Sequence, residues 1–191
     1  DILRAGTDQN MPGHFLGSIV YIQQGVILFG NVPQFLLIDG QQRLTTLVLL
    51  LTALAETPQK EGLVNPEFKK EIYDSYLVNA FGKDEQRYKL LLTQSDSDLL
   101  KQIIDHPEKA SLLKTASPLV DNFLFFQEQL HQHKAELDTV LQGLNKLFIV
   151  EISLNKENDN PQLIFESLNS TGMDLSQADL IRNYVLMGLD N

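Results

Sequence analysis

Asp39-Gly40-Gln41-Gln42-Arg43-Leu44-Thr45-Thr46 is the run of this chain whose residue types and order could do chemistry. It falls where a short apolar segment, Gln34 to Ile38, gives way to a long helical pattern beginning at Gln41. The first-turn N–H groups of a helix have no intrahelical partner and carry partial positive charge, so they draw anions. Gly40, without a Cβ, lets the backbone approach a ligand closely. Gln41 and Gln42 bring amide donors and acceptors, and Arg43 brings a planar fork of N–H donors that fits phosphate or carboxylate. One acid, two amides and one cation thus converge on a backbone that already favours negative charge. The same residues also have a plainer use: Asp39 as N-cap with Gln42 three residues later is a capping box, and Asp39 can pair with Arg43. Neither arrangement needs a ligand. An arginine in a first helical turn, however, opposes the helix dipole unless an anion is present.

A second constellation lies far downstream: Phe165-Glu166-Ser167-Leu168-Asn169-Ser170-Thr171-Gly172, followed by Leu175 and the run from Ala178 to Tyr184. Its Asn-Ser-Thr-Gly loop offers hydroxyls and a permissive backbone between two helical patterns; it also reads as an ordinary connecting turn, with Arg182 paired to Asp179. The histidines add little. His14, His106, His131 and His133 sit in no nuclease-like context. His131 and His133, two apart on a helix, point to different faces and make a poor metal pair.

These groups must be positioned by a fold, and the pattern of the chain indicates which. Phe15 to Ile22 is apolar and β-branched, a strand or a helix starting near Pro12. Gly25, Gly30, Asn31 and Pro33 mark a turn region, Gln34 to Ile38 a short buried strand, and Gln41 to about Glu56 a helix apolar on nearly every face. Such a helix must be enclosed by other elements. Gln59 to Lys70 reads as a surface connection, Tyr88 to Thr93 as a strand, and Ser95 with Asp98 as the cap of an amphipathic helix through Ile104. Leu119, Phe123, Phe126 and Leu130 form one face of a helix from about Ser117. Phe148 to Leu154 alternates as a strand with Phe148, Val150, Ile152 and Leu154 on one side. Helices follow from Pro161 and from Ser176, the last ending at Gly188. Strands are few and helices many, so the fold class is α+β with a helical majority.

Composition bounds the function. The 191 residues carry a formal net charge of −10 and no cysteine, which excludes disulfides and thiolate zinc sites. The acidic balance argues against binding DNA through the whole surface, since that needs many Lys and Arg to neutralise phosphates. The most apolar run, Leu44 to Ala55, is far shorter than the roughly 20 residues of a membrane span. No charged and apolar leader follows Asp1, so no secretory signal is expected, and both ends read as cuts in a longer protein.

Together, IDGQQRLTTL (from Ile38) and IFESLNSTGMDLSQADLIRN (from Ile164) resemble the N-terminal domain of the GmrSD-type modification-dependent restriction proteins, and Phe15 to Ile19 fits the segment ahead of the first motif. The resemblance implies a GmrS-like domain over residues 1–191, with a small ParB/sulfiredoxin-like sheet, a central buried helix and an attached helical lobe. Residues 1–58 would form the α/β core part, 59–146 the mostly helical lobe, and 147–191 the returning strand and closing helices. It further implies a cytoplasmic restriction and phage-defence role. In that role binding or hydrolysis of a nucleoside triphosphate (GTP or ATP, with a divalent metal such as Mg) by the domain is coupled to a separate C-terminal HNH-type nuclease domain or subunit, which it controls. Modified DNA would be engaged through the full-length protein, and no membrane is involved. By residue, Asp39 becomes a metal or water contact, Asp39, Gln42 and Arg43 the catalytic group, and Gly40, Gln41, Arg43 and Thr45 the phosphate-binding set, with Asn169, Thr171 and Arg182 as a second wall. A Tyr-Gln-Arg-type motif that the family carries further upstream has no counterpart here. The alternative is a non-enzymatic sensor of modified DNA or a protein-interaction module.

Overall fold

The computed structural model describes residues 1–25, 32–58, 65–113, 115–133 and 136–155. Among these the α-helices are α1 (Ile2–Thr7), α2 (Gln41–Ala55), α3 (Pro66–Ile72), α4 (Gln94–Asp105), α5 (Pro118–Gln132) and α6 (Leu137–Asn145). The strands are β1 (His14–Gln24), β2 (Gln34–Asp39) and β3 (Leu147–Leu154). The chain divides into two compact units, Asp1–Leu16 with Gln42–Phe148 and Gly17–Gln41 with Ile149–Asn191.

The first unit is helical, and α2 explains it. Val48, Leu49, Leu50, Ala53, Leu54 and Ala55 are buried together with Ile103 and Ile104 of α4, Phe123 and Leu130 of α5 and Val140 of α6, so the helix expected to be apolar all round is enclosed as that pattern requires. Thr52, fully buried within it, donates its hydroxyl to the Val48 carbonyl at 2.8 Å and thereby avoids an unmade hydrogen bond. On α5, Leu119, Phe123, Phe126 and Leu130 do form the inward stripe, and the Ser117 hydroxyl caps the helix by accepting from the Leu119 N–H at 3.3 Å. Helices α1 and α6 touch backbone to backbone. A Cβ on Gly6 would lie 2.0 Å from the Thr139 carbonyl oxygen, and one on Gly143 2.0 Å from that of Ile2.

Three expectations need correction in this unit. Tyr88 to Thr93 is not a strand: Tyr88 makes one isolated bridge to Val78, and Leu90 and Leu92 pack on the core while among the described residues no neighbouring segment extends the ladder. The end of the expected Gln59–Lys70 surface connection, from Pro66, belongs to α3 (Pro66–Ile72), started by Asn65, whose side chain accepts from the N–H groups of Glu67 and Phe68. Helix α4 begins at Gln94, so Thr93 takes the N-cap position expected for Ser95, which falls within the helix. A π-helical turn, Tyr73–Leu77, continues α3, and Lys89 Nζ donates to its Asp74 and Ser75 carbonyls at 2.9 and 2.7 Å.

The second unit is the sheet, in the order β2-β1-β3. β1 and β2 are antiparallel, with Ile22 opposite Leu36, Tyr21 opposite Leu37 and an irregularity between Val20 and Tyr21. Contacts between β1 and β3 step forward together, Phe15 with Phe148 and then Tyr21 with Glu151, so these strands run parallel. The helical chain between Gln41 and Asn145 supplies the long crossover that parallel neighbours need. Val20, Ile22 and Leu154, with Ile38 and Ile152 against them, form a small core of their own. Of the four β3 residues expected on one side, Ile152 and Leu154 enter that core, while Phe148 and Val150 stay about half exposed.

Candidate functional site

The strand-to-helix junction is built as the sequence indicates. β2 ends at Asp39, Gly40 turns the chain, and α2 starts at Gln41. Ile38 points into the small core, so by the alternation of a strand Leu37 faces the other way, and the irregularity between Val20 and Tyr21 sets Ile38 and Asp39 together opposite Val20. Gly40 has φ +96°, a conformation that residues with a Cβ avoid, and a Cβ there would sit 2.6 Å from Ile19 Cγ2 and 3.2 Å from its Cα. Glycine at this position is therefore dictated by the turn itself, apart from any ligand. Gly40 also takes the position directly before the helix, which sets Asp39 one residue further out than the capping box assumed.

Asp39, Arg43 and Thr45 are partly buried, Gln41 and Gln42 are exposed, and Gly40 is buried. Asp39, Gln41, Arg43 and Thr45 all make contacts with other groups. Thr46 turns back on its own helix, its hydroxyl donating to the Gln42 carbonyl at 2.8 Å. Asn169, Thr171 and Arg182, with the expected helices from Pro161 and Ser176, lie outside the described residues.

A second group of side chains escaped the sequence reading. On the sheet face opposite the small core, the Tyr21 hydroxyl donates to the Glu151 carboxylate, and the Tyr21 ring meets that of Phe35 edge-on, 5.1 Å between centroids at 75°. The hydrogen bond to Glu151 is the main cause that raises the Tyr21 phenol above its usual range, helped by burial and by the charge of the same carboxylate. Alternation on β1 could have placed Tyr21 outward between Val20 and Ile22, but its partnership with Glu151, 130 residues away, needs the strand order.

Elsewhere, a depression of about 380 Å³ in the helical unit is lined by Ala53, Glu56, Thr57, Pro58, Gln127, Glu128 and His131. None of these belongs to the motif, and Glu56 is engaged by Lys69 at 2.6 Å and by the Tyr73 hydroxyl at 3.4 Å. His133 pairs with Glu136 at 3.0 Å, and His14 stands 4.0 Å from the Asp1 carboxylate. Among the described residues no group of three or more His, Cys, Asp or Glu could hold a metal ion, and no helix is long and apolar enough to cross a membrane.

A mixed α/β domain with a glycine turn feeding a motif-bearing helix is the class of protein that fold and site define. The model of one family, the N-terminal domain of the GmrSD restriction endonucleases, matches residues 1–186, and the chain belongs to that family. Membership gives it a role in a restriction system, where such a domain is fused to or associated with a nuclease that targets DNA. No curated protein and no solved structure matches the chain.

Proposed function

We propose that this domain binds a nucleoside triphosphate, GTP or ATP, at the Asp39–Arg43 junction, and that binding controls the HNH-type nuclease half of a cytoplasmic phage-defence protein. The observation that carries the reading is the turn at Gly40, which feeds a strand directly into the N-terminus of α2 with Gln41, Gln42 and Arg43 in its first turn. A helix N-terminus and a guanidinium in one turn suit a phosphate chain, and α2, fixed by its buried apolar residues, gives them a rigid base.

The roles follow from residue chemistry. Arg43 neutralises phosphate charge, Gln41 and Gln42 make polar contacts, and Thr45 adds a hydroxyl one turn on. Asp39 is a lone carboxylate, which fits a magnesium ion that fills the rest of its shell with phosphate oxygens and water. If the triphosphate is hydrolysed, the roles assigned to Asp39 and Gln42 are to orient the attacking water. The resemblance adds Asn169, Thr171 and Arg182 as further contacts to the same ligand. The formal charge of −10 supports a small anion held in a local cationic site over a duplex held across the surface.

Calorimetric titration of the chain with GTP and ATP in the presence of magnesium tests this reading. Binding in the wild type that falls about tenfold or more in Arg43→Ala is expected, because charge-assisted hydrogen bonds contribute roughly 1.5–3 kcal/mol. Absence of heat with either nucleotide overturns it. Binding of a modified DNA duplex without nucleotide replaces it with the sensor reading.

A further inference from the structure

On the sheet face opposite the small core stand two aromatic rings and a carboxylate, one on each strand: Phe35 on β2, Tyr21 on β1 and Glu151 on β3. All three belong to the sheet unit, so the group is complete within one compact body. With strands about 4.8 Å apart the row spans roughly 10 Å, the reach of one long side chain laid flat across it. Phe35 is 51% exposed, and Glu151 is also open to solvent. The Tyr21 hydroxyl donates to the Glu151 carboxylate and holds it in place, while its remaining lone pairs can accept from a ligand.

Aromatic rings beside a fixed carboxylate have a definite complement. Ring faces carry negative charge density and attract a cation laid over them, an arginine most often. A carboxylate only accepts hydrogen bonds and takes a planar fork of donors through two bonds at once. A guanidinium meets both demands, because it is flat, weakly hydrated and always charged. A lysine ammonium is a compact, strongly hydrated charge that stacks less well. Nucleic acid is the poorer occupant: the carboxylate in the row and the formal charge of −10 repel its phosphates, and the same charge draws a cationic partner. We propose that Phe35, Tyr21 and Glu151 form a docking site for an arginine side chain presented by a partner protein. The guanidinium stacks on the rings and donates to the carboxylate that Tyr21 holds in place. Neither Asp39 nor Arg43 contributes to it.

The test is an NMR titration of the isotope-labelled chain with a blocked alanine pentapeptide carrying one central arginine, and with its lysine and citrulline counterparts. The arginine peptide shifts the amides of Tyr21, Phe35 and Glu151 saturably and binds about threefold or more tightly than the lysine peptide. Citrulline, which keeps the shape and loses the charge, leaves these amides unmoved. Glu151→Gln weakens the arginine peptide about fivefold, the scale of an exposed ion pair. The carboxamide still accepts the Tyr21 hydrogen bond, so thermal unfolding is unchanged. Phe35→Ala weakens the same peptide about threefold. Should Phe35→Ala fail to fold, Glu151→Gln decides alone. Equal binding of the arginine and citrulline peptides, equal binding of the arginine and lysine peptides, or an arginine affinity that Glu151→Gln does not move overturns the docking site. A DNA duplex that shifts this face while the arginine peptide does not overturns it in favour of nucleic acid.

Discussion

In the helical unit, polar side chains serve the helices. Lys89 answers two carbonyls of the π-helical turn, Asn65 and Ser117 cap α3 and α5, and the Tyr73 hydroxyl donates to the Ile104 carbonyl at 2.9 Å. In the sheet unit the core is a handful of residues around Val20, Ile22 and Leu154, and the outer face keeps Tyr21, Phe35 and Glu151 where solvent or a ligand reaches them. A deep core can absorb its polar groups in holding itself together; a thin sheet with one covered face leaves the other for recognition. The family motif stands where the chain leaves the sheet for α2, so the displayed chemistry and the rigid base are next to each other in sequence.

That contrast is most easily broken at Phe123, which is fully buried on α5. Phe123→Ala should lower stability by about 3–5 kcal/mol, read as a fall in the urea midpoint followed by far-ultraviolet circular dichroism. A loss below about 1 kcal/mol would mean that the helical unit is not the scaffold. Gly40→Ala should cost about 1–3 kcal/mol, from the positive φ and the closeness of Ile19, and should weaken nucleotide binding as well because the turn carries the first helical residues. Unchanged thermal unfolding would contradict the observed turn.

A smaller effect belongs to Tyr73, whose phenol is pushed above its ordinary range by burial first and by the Glu56 charge second. Below about pH 10 the phenol is neutral in both the folded and the unfolded chain, and its contribution is fully present. As pH rises past that value the unfolded chain ionises first, so stability falls. Tyr73→Phe should therefore flatten the loss of stability between pH 9 and 11 while costing about 1 kcal/mol at neutral pH. An alkaline limb identical to wild type would sink this assignment.

Much of this was legible in the sequence because it is local. The strands Gln34–Asp39 and Leu147–Leu154 and the helices α2 and α5 follow from periodicity, and the glycine turn follows from Asp39-Gly40. What remained hidden depends on partners distant in the chain. Leu90 and Leu92 look like strand residues until the absence of a neighbouring ladder is seen. Gly6 and Gly143 carry no local signal, and their meaning is the contact between α1 and α6. Glu151 carries no local signal either; the strand order makes it the partner of Tyr21.

Amide hydrogen exchange of the chain with and without GTP and magnesium tests the central claim most directly, since it reads both units at once. Binding at the junction predicts slowed exchange at Gly40–Arg43 and along β2, with α4 and α5 unchanged. Slowed exchange confined to α4 and α5, or a nucleotide that changes neither region, would contradict the account.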